Sequence, residues 1–306
     1  MTIAFVFPGQ GSQSPGMQAD LASRYPAVEQ TYAEASEVLG YDLWQLVQEG
    51  DGEALSKTTV TQPAMLAAGV AAYRVWLAAG GQPPAQAAGH SLGEYSALVA
   101  AGAVEFPAAM RVVKRRSELM QGAVPPGAGA MAAVLGLDDE SVHRVCAEAG
   151  GVTEPVNFNA PGQVVIAGET DAIERAVELA KQVGARRALP LPVSVPAHSS
   201  LMRPAGESLA ETLAETGFED PTYPVISAAT GRPYADAADI SAALSAQVYS
   251  PVLWVDTVRT LIDNGATRIV ECGPGKVLAG LVRRIDKSLE VGTIDGIEGL
   301  EKALEA

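Results

Sequence analysis

The stretch Gly89-His90-Ser91-Leu92-Gly93 sets one hydroxyl between two glycines, immediately ahead of a helix-forming run. That G-x-S-x-G spacing suits a serine nucleophile on a sharp strand-to-helix turn, where glycines leave room for a strained backbone. It also suits a glycine-rich turn that happens to contain a serine. A serine hydroxyl becomes a useful nucleophile only when a base takes its proton, so the chain's three histidines bear on the choice. His90 adjoins Ser91, and neighbouring side chains on a tight turn diverge. His143 falls in a predicted helix, where a solvent-facing place is expected. His198 lies in "VSVPAHSSLM", where a predicted strand ends and a helix begins. Polar residues at the carboxyl ends of strands are well placed for a crevice. By elimination His198 is the candidate base.

The helix "PAAMRVVKRRSELMQG" carries an anomaly of charge. Val112, Val113, Arg116, Leu119 and Met120 share one apolar stripe at helical spacing, whereas Arg111, Arg115 and Glu118 lie on another face. Arg116 therefore points inward, where an unpaired guanidinium is costly. Two readings are open. It is structural, as the partner of a core carboxylate or a snorkelling side chain, or it is a bidentate receptor for a substrate carboxylate. The glycine-rich "FPGQGSQSPG" and "CGPGKV" fail as dinucleotide and phosphate loops: Ser14 stands where a third glycine belongs, and Val277 follows Lys276. Gly9-Gln10-Gly11 and the amide of Leu92 are better suited to bring backbone N–H groups to an acyl oxygen.

These residues need elements to hold them. Residues 2–7 form an apolar run ended by Pro8-Gly9, which predicts a buried parallel strand. Helical patterns cover 18–40, 61–79, 92–103 and 106–121, with short strands at 85–89 and 267–272, an α/β alternation. Residues 127–195 read differently: strand 129–137, helix 138–150, strands 152–160 and 163–169, helix 170–184, and a closing strand 185–195. That β-α-β-β-α-β order is a split βαβ unit, and it looks inserted, because α/β pattern resumes with helices near 200–217 and 251–264.

With 306 residues the chain has room for one large domain or two moderate ones. A formal charge of -15 argues against nucleic acid and anionic membranes as partners. Cys146 and Cys272 lie far apart and in no ligand spacing, so neither a disulfide framework nor a zinc site is expected. The start "MTIAFVFPGQG" lacks a basic region, and no run is long enough to span a bilayer. A soluble, cytoplasmic protein is expected.

"FPGQGSQ", "GHSLGEY", Arg116-x-x-x-Met120-Gln121, "PVNFNAPGQVVI", "PAHS" and "ECGPGKVL" occur in one order along the chain. Over nearly its whole length the sequence resembles the malonyl-CoA:acyl carrier protein transacylases of fatty acid synthesis. The resemblance implies an α/β fold: a hydrolase-like core with a parallel sheet (1–126 and 196–306) and an inserted ferredoxin-like small subdomain (127–195). It implies ping-pong transfer through a malonyl-Ser91, with His198 as base and acid. The amides of Gln10 and Leu92 would form an oxyanion hole, and Arg116 would hold the malonyl carboxylate. Gln247 matches the position that orients the histidine, and Asn159 a polar position facing the cleft. No cofactor or metal is implied; malonyl-CoA and the phosphopantetheine of acyl carrier protein are the substrates. Arg186-Arg187 and Arg283, Arg284 and Lys287 are candidate carrier-docking charges or ordinary solvated ones. A serine esterase or thioesterase would use the same nucleophile without needing Arg116, and a non-catalytic assembly module would need none of the three.

Overall fold

A computed structural model describes residues 2–193 and 195–305. Strand β1 (Ile3–Phe7) has apolar residues on both faces, as a central parallel strand requires. The pattern predicted as one helix over 18–40 divides into α1 (Ala19–Arg24) and α2 (Ala27–Leu39). The division falls at Tyr25, which is extended because the ring of Pro26 disfavours a helical residue before it. Two short helices that the pattern reading passed over, α3 (Leu43–Glu49) and α4 (Gly52–Ser56), start at the caps Asp42 and Asp51. Helix α5 (Thr58–Ala78) is buried almost all round. It leads to β2 (Gln86–Gly89), α6 (Gly93–Ala100) and α7 (Phe106–Gly122).

A second, antiparallel sheet follows: β3 (Gly129–Leu135), α8 (Asp139–Ala149), β4 (Thr153–Ala160), β5 (Gln163–Glu169), α9 (Thr170–Gln182) and β6 (Arg187–Pro190). Its strand order is β4-β5-β3-β6. Strand β6 ends at Pro190, short of the expected 195, because Pro190 and Pro192 cannot donate to a continuing ladder; Ser194 lies outside the described residues. Register shifts between Pro155 and Asn157 leave Val156 as an extra residue in β4, a bulge.

The chain then returns through a 3₁₀ turn (Ser200–Met202), α10 (Arg203–Ala214), β7 (Val225–Ile226), α11 (Ala237–Gln247), α12 (Trp254–Asp263), β8 (Arg268–Cys272), α13 (Val277–Ile285), β9 (Glu290–Ile294) and α14 (Ile297–Leu304). The parallel sheet has the order β7-β2-β1-β8-β9. Phe5 and Phe7 of β1 pack into the core that includes α2, α5 and α7, while Ala4 and Val6 face Trp254, Val258 and Leu278 on α12 and α13. The two sheets are tied where β4 meets Val252: Phe158 N donates to Val252 O (2.9 Å) and Val252 N to Val156 O (2.8 Å). No helix among the described residues is long and apolar enough to cross a membrane.

The β1–β2 ladder ends on the pair Phe7–Gly89, so the loops after the two strands lie side by side. This closeness fixes the glycines. A Cβ on Gly89 would sit 1.9 Å from the carbonyl carbon of Gly93, and one on Gly93 would sit 2.0 Å from the carbonyl oxygen of Phe7. Both obstacles are backbone. Gly93→Ala is therefore expected to destabilise the protein by about 3 kcal/mol. Gly280→Ala, in α13 with no atom within 4 Å, should stabilise it by about 0.5–1 kcal/mol. Urea unfolding midpoints of the two variants check the contrast.

Candidate active site

Ser91 caps the turn from β2 into α6 with φ of 52°, and His198 has φ of 68°. Both lie in the left-handed region that costs a side-chain-bearing residue energy. The strained turns aim the two side chains at each other, with Ser91 Oγ 2.7 Å from His198 Nε2. The other ring nitrogen, Nδ1, is 2.9 Å from the main-chain carbonyl of Gln247. A carbonyl only accepts, so Nδ1 carries the proton and Nε2 is left with a lone pair for the serine hydroxyl. Burial, and secondarily the nearby Arg116 cation, push the His198 pKa down to about 3. The ring is thus neutral, the form a base needs.

Arg116 is 1% exposed on α7. Its Nη1 donates to Gln62 Oε1 (2.7 Å), and its Nη2 to Gln247 Oε1 (3.0 Å) and Ser91 Oγ (3.3 Å). The guanidinium lies 5.7 Å from the Tyr95 ring centroid. Among the described residues no carboxylate pairs with it, and its Nε is buried without a partner. The cation is held by neutral groups, so the core-carboxylate reading does not apply. Burial lowers its pKa, opposed by Tyr95 and Glu94.

Behind this front row, Gln247 Nε2 donates to Glu94 Oε2 (2.6 Å) and to the Ser91 carbonyl (3.0 Å). Fully buried Glu94 also accepts from the Tyr234 hydroxyl and from Ala228 N (3.2 Å). Burial raises the Glu94 pKa despite these hydrogen bonds. Gln247 therefore does two jobs. Its main chain orients His198, while its side-chain amide turns an oxygen to Arg116 and an NH₂ group to Glu94.

A cavity of about 130 Å³ opens onto Ser91, His198 and Arg116, lined also by Gln10, Gln62, Met120 and Asn157. Gln10, Thr58, Leu191 and Val193 are shared with an outer groove that contains Lys57. The loops carrying the amides of Gln10 and Leu92 are adjacent, because Gly9 sits against the His90 carbonyl. Neither amide donates to a protein acceptor among the described residues.

Asn159 does not line this cavity. Its Oδ1 is 2.8 Å from Nε2 of His90, a residue that does line the cavity but whose ring is engaged by Asn159 while His198 meets Ser91. The β4 bulge brings Asn157 to the cavity wall instead. Gln62 and Glu94 were also missed, although a glutamine and a glutamate in otherwise apolar buried helices were the available signal. His143 is exposed, beside Phe158. Arg186 and Arg284, exposed and distant in sequence, line one crevice with Gly136, Asp138 and Gly162. Cys146 and Cys272 are buried free thiols, and no group of three or more His, Cys, Asp or Glu that could hold a metal occurs among the described residues.

The family described as acyl transferase domain matches residues 4–297. The chain is 53% identical to the malonyl CoA-acyl carrier protein transacylase of Escherichia coli, over 99% of this chain and 98% of that one. It is 54% identical to the solved acyl carrier protein S-malonyltransferase of Vibrio cholerae, with a TM-score of 0.96 over 99% of this chain and 100% of the other. A structure of a type II PKS acyl-carrier protein in complex with its malonyl-transacylase matches at 52% identity and a TM-score of 0.98, covering 100% of this chain and 99% of that chain.

The depressed His198 pKa gives a direct expectation. In an NMR titration the His198 ring should show no protonation step between pH 8 and 5, where an ordinary histidine near 6.5 would titrate. Because the Arg116 cation contributes to the depression, Arg116→Ala should move the step upward.

Proposed function

The chain belongs to the acyl transferase family, and we propose that it moves a malonyl group from malonyl-CoA to the phosphopantetheine thiol of acyl carrier protein. The observation that carries this reading is Arg116, a buried cation without a carboxylate partner, 3.3 Å from the Ser91 hydroxyl. A malonyl thioester differs from an acetyl one by a terminal carboxylate, the group such a site lacks. An esterase would have no use for this charge.

The proposed chemistry runs in two balanced halves. Ser91 Oγ attacks the thioester carbonyl as its proton passes to His198 Nε2. The amides of Gln10 and Leu92 hold the tetrahedral oxyanion. Collapse breaks the C–S bond, and His198 returns the proton to the departing CoA sulfur. In the second half the carrier thiol gives its proton to His198 and attacks the malonyl-serine carbonyl. Ser91 leaves with that proton, and the malonyl thioester of the carrier departs. The Gln247 carbonyl steadies the imidazolium in both halves. No metal or redox cofactor takes part, and the proposed setting is the cytoplasm, with the product feeding fatty acid synthesis. The small unit of residues 127–195 acts as the roof of the cavity, through Met131, Asn157, Leu191 and Val193.

Mass spectrometry after mixing with malonyl-CoA should find one malonyl group on Ser91, and none on the Ser91→Ala variant. Label on Cys146 or Cys272 would overturn the reading. Breaking a buried charge contact on one side costs about 3–5 kcal/mol. Arg116→Ala should therefore lose most malonyl transfer and little acetyl transfer, narrowing the preference by roughly two to three orders of magnitude.

A further inference from the structure

Asn157 is a polar residue in the cavity wall to which the acyl transfer steps give no task. The bulge at Val156 shifts the register of β4 so that Val156 packs among Met131, Val165 and Ala167 while Asn157 lines the cavity. Its Oδ1 is fully buried and accepts no hydrogen bond, and its Nδ2 makes none within the protein. The carboxamide is thus an acceptor and a donor, both unspent, in the wall of the cavity that Ser91 also lines.

A buried acceptor without a donor costs about 1–3 kcal/mol. The malonyl group cannot relieve it, because a thioester carbonyl and a carboxylate only accept. The donor must come from the other side of the sulfur. Coenzyme A and the carrier's prosthetic group share one pantetheine arm, whose amide nearest the sulfur offers an N–H and a carbonyl two carbons away. We propose that Asn157 binds this secondary amide, Oδ1 accepting its N–H; the amide is trans, so its carbonyl points the opposite way and is left to another donor. Asn157 is then a binding residue for the part common to both substrates, seating the sulfur over Ser91 in each half of the reaction. This rests on the malonyl-transfer reading above.

The test compares three malonyl thioesters: of CoA, of N-acetylcysteamine, which keeps the first amide, and of propanethiol, which has none. In Asn157→Leu, kcat/KM for the first two, each divided by that for the propyl thioester, should fall roughly ten- to a hundredfold. Asn157→Ala should show the same fall, and serves if the leucine does not fold. Equal loss on all three thioesters would overturn the proposal, since a merely structural asparagine affects them alike. A fall for CoA alone would overturn it too, because the partner would lie farther along the arm. If the unaltered protein transferred malonyl from none of the three, the functional reading itself would fail, a result distinct from either.

Discussion

The site depends on a positive charge that the protein buries and does not neutralise. Placing the Arg116 guanidinium in a dry interior costs on the order of several kcal/mol, which a carboxylate partner would ordinarily offset. Here the partners are Gln62, Gln247 and the face of Tyr95. Neutral oxygens hold the cation in place without cancelling its charge. The nearest compensating group, Glu94, acts at one remove through the Gln247 amide. The arrangement also keeps His198 neutral, because a cation nearby disfavours a second positive charge. Anion affinity and the neutral state of the base thus draw on the same residue.

The second constraint is geometric. Of the three non-glycine residues in left-handed backbone among those described, Gln18, Ser91 and His198, the last two belong to the site, and in both the strain points a reactive atom into the cavity. It is sustained by packing on either side. Gly89 and Gly93 let α6 start against the end of β1, and His198 is tied by its own amide to Val248 O (3.1 Å) and by its ring to Gln247. The segment Gln247–Val252 therefore matters twice, once for the histidine and once for the bridge to β4 that carries the cavity roof.

Much of this was legible in the sequence. The Ser91 turn and the exclusion of His90 and His143 follow from local spacing and a short list of histidines. The apolar stripe around Arg116 announced an inward charge, although only the three-dimensional neighbours could show that no carboxylate meets it. The alternation of strands and helices in residues 129–182 was equally plain, because each element is bounded by a cap, a glycine or a proline. What failed has specific causes. Strand β4 shifts register twice, between Pro155 and Asn157 and again between Phe158 and Ala160, so Asn157 lines the cavity and Asn159 does not, and one-residue register shifts leave no mark in hydrophobic periodicity. Gln247 does hold the histidine, as the resemblance implies, but through its main-chain carbonyl, a role invisible in side-chain identity. Apolar spacing alone predicts one helix over 18–40, and it is Pro26 that divides it.

The central claim is a direct contact between Arg116 and the carboxylate of the acyl group. It is tested most directly by a cycle of two proteins and two substrates: the unaltered chain and Arg116→Ala, each acylated by malonyl-CoA and by its uncharged methyl ester. The account predicts that the substitution slows malonyl-CoA at least about 100-fold more than the ester, ~2.8 kcal/mol of coupling. Equal slowing of both would contradict it, and would make Arg116 a structural cation with selectivity set elsewhere.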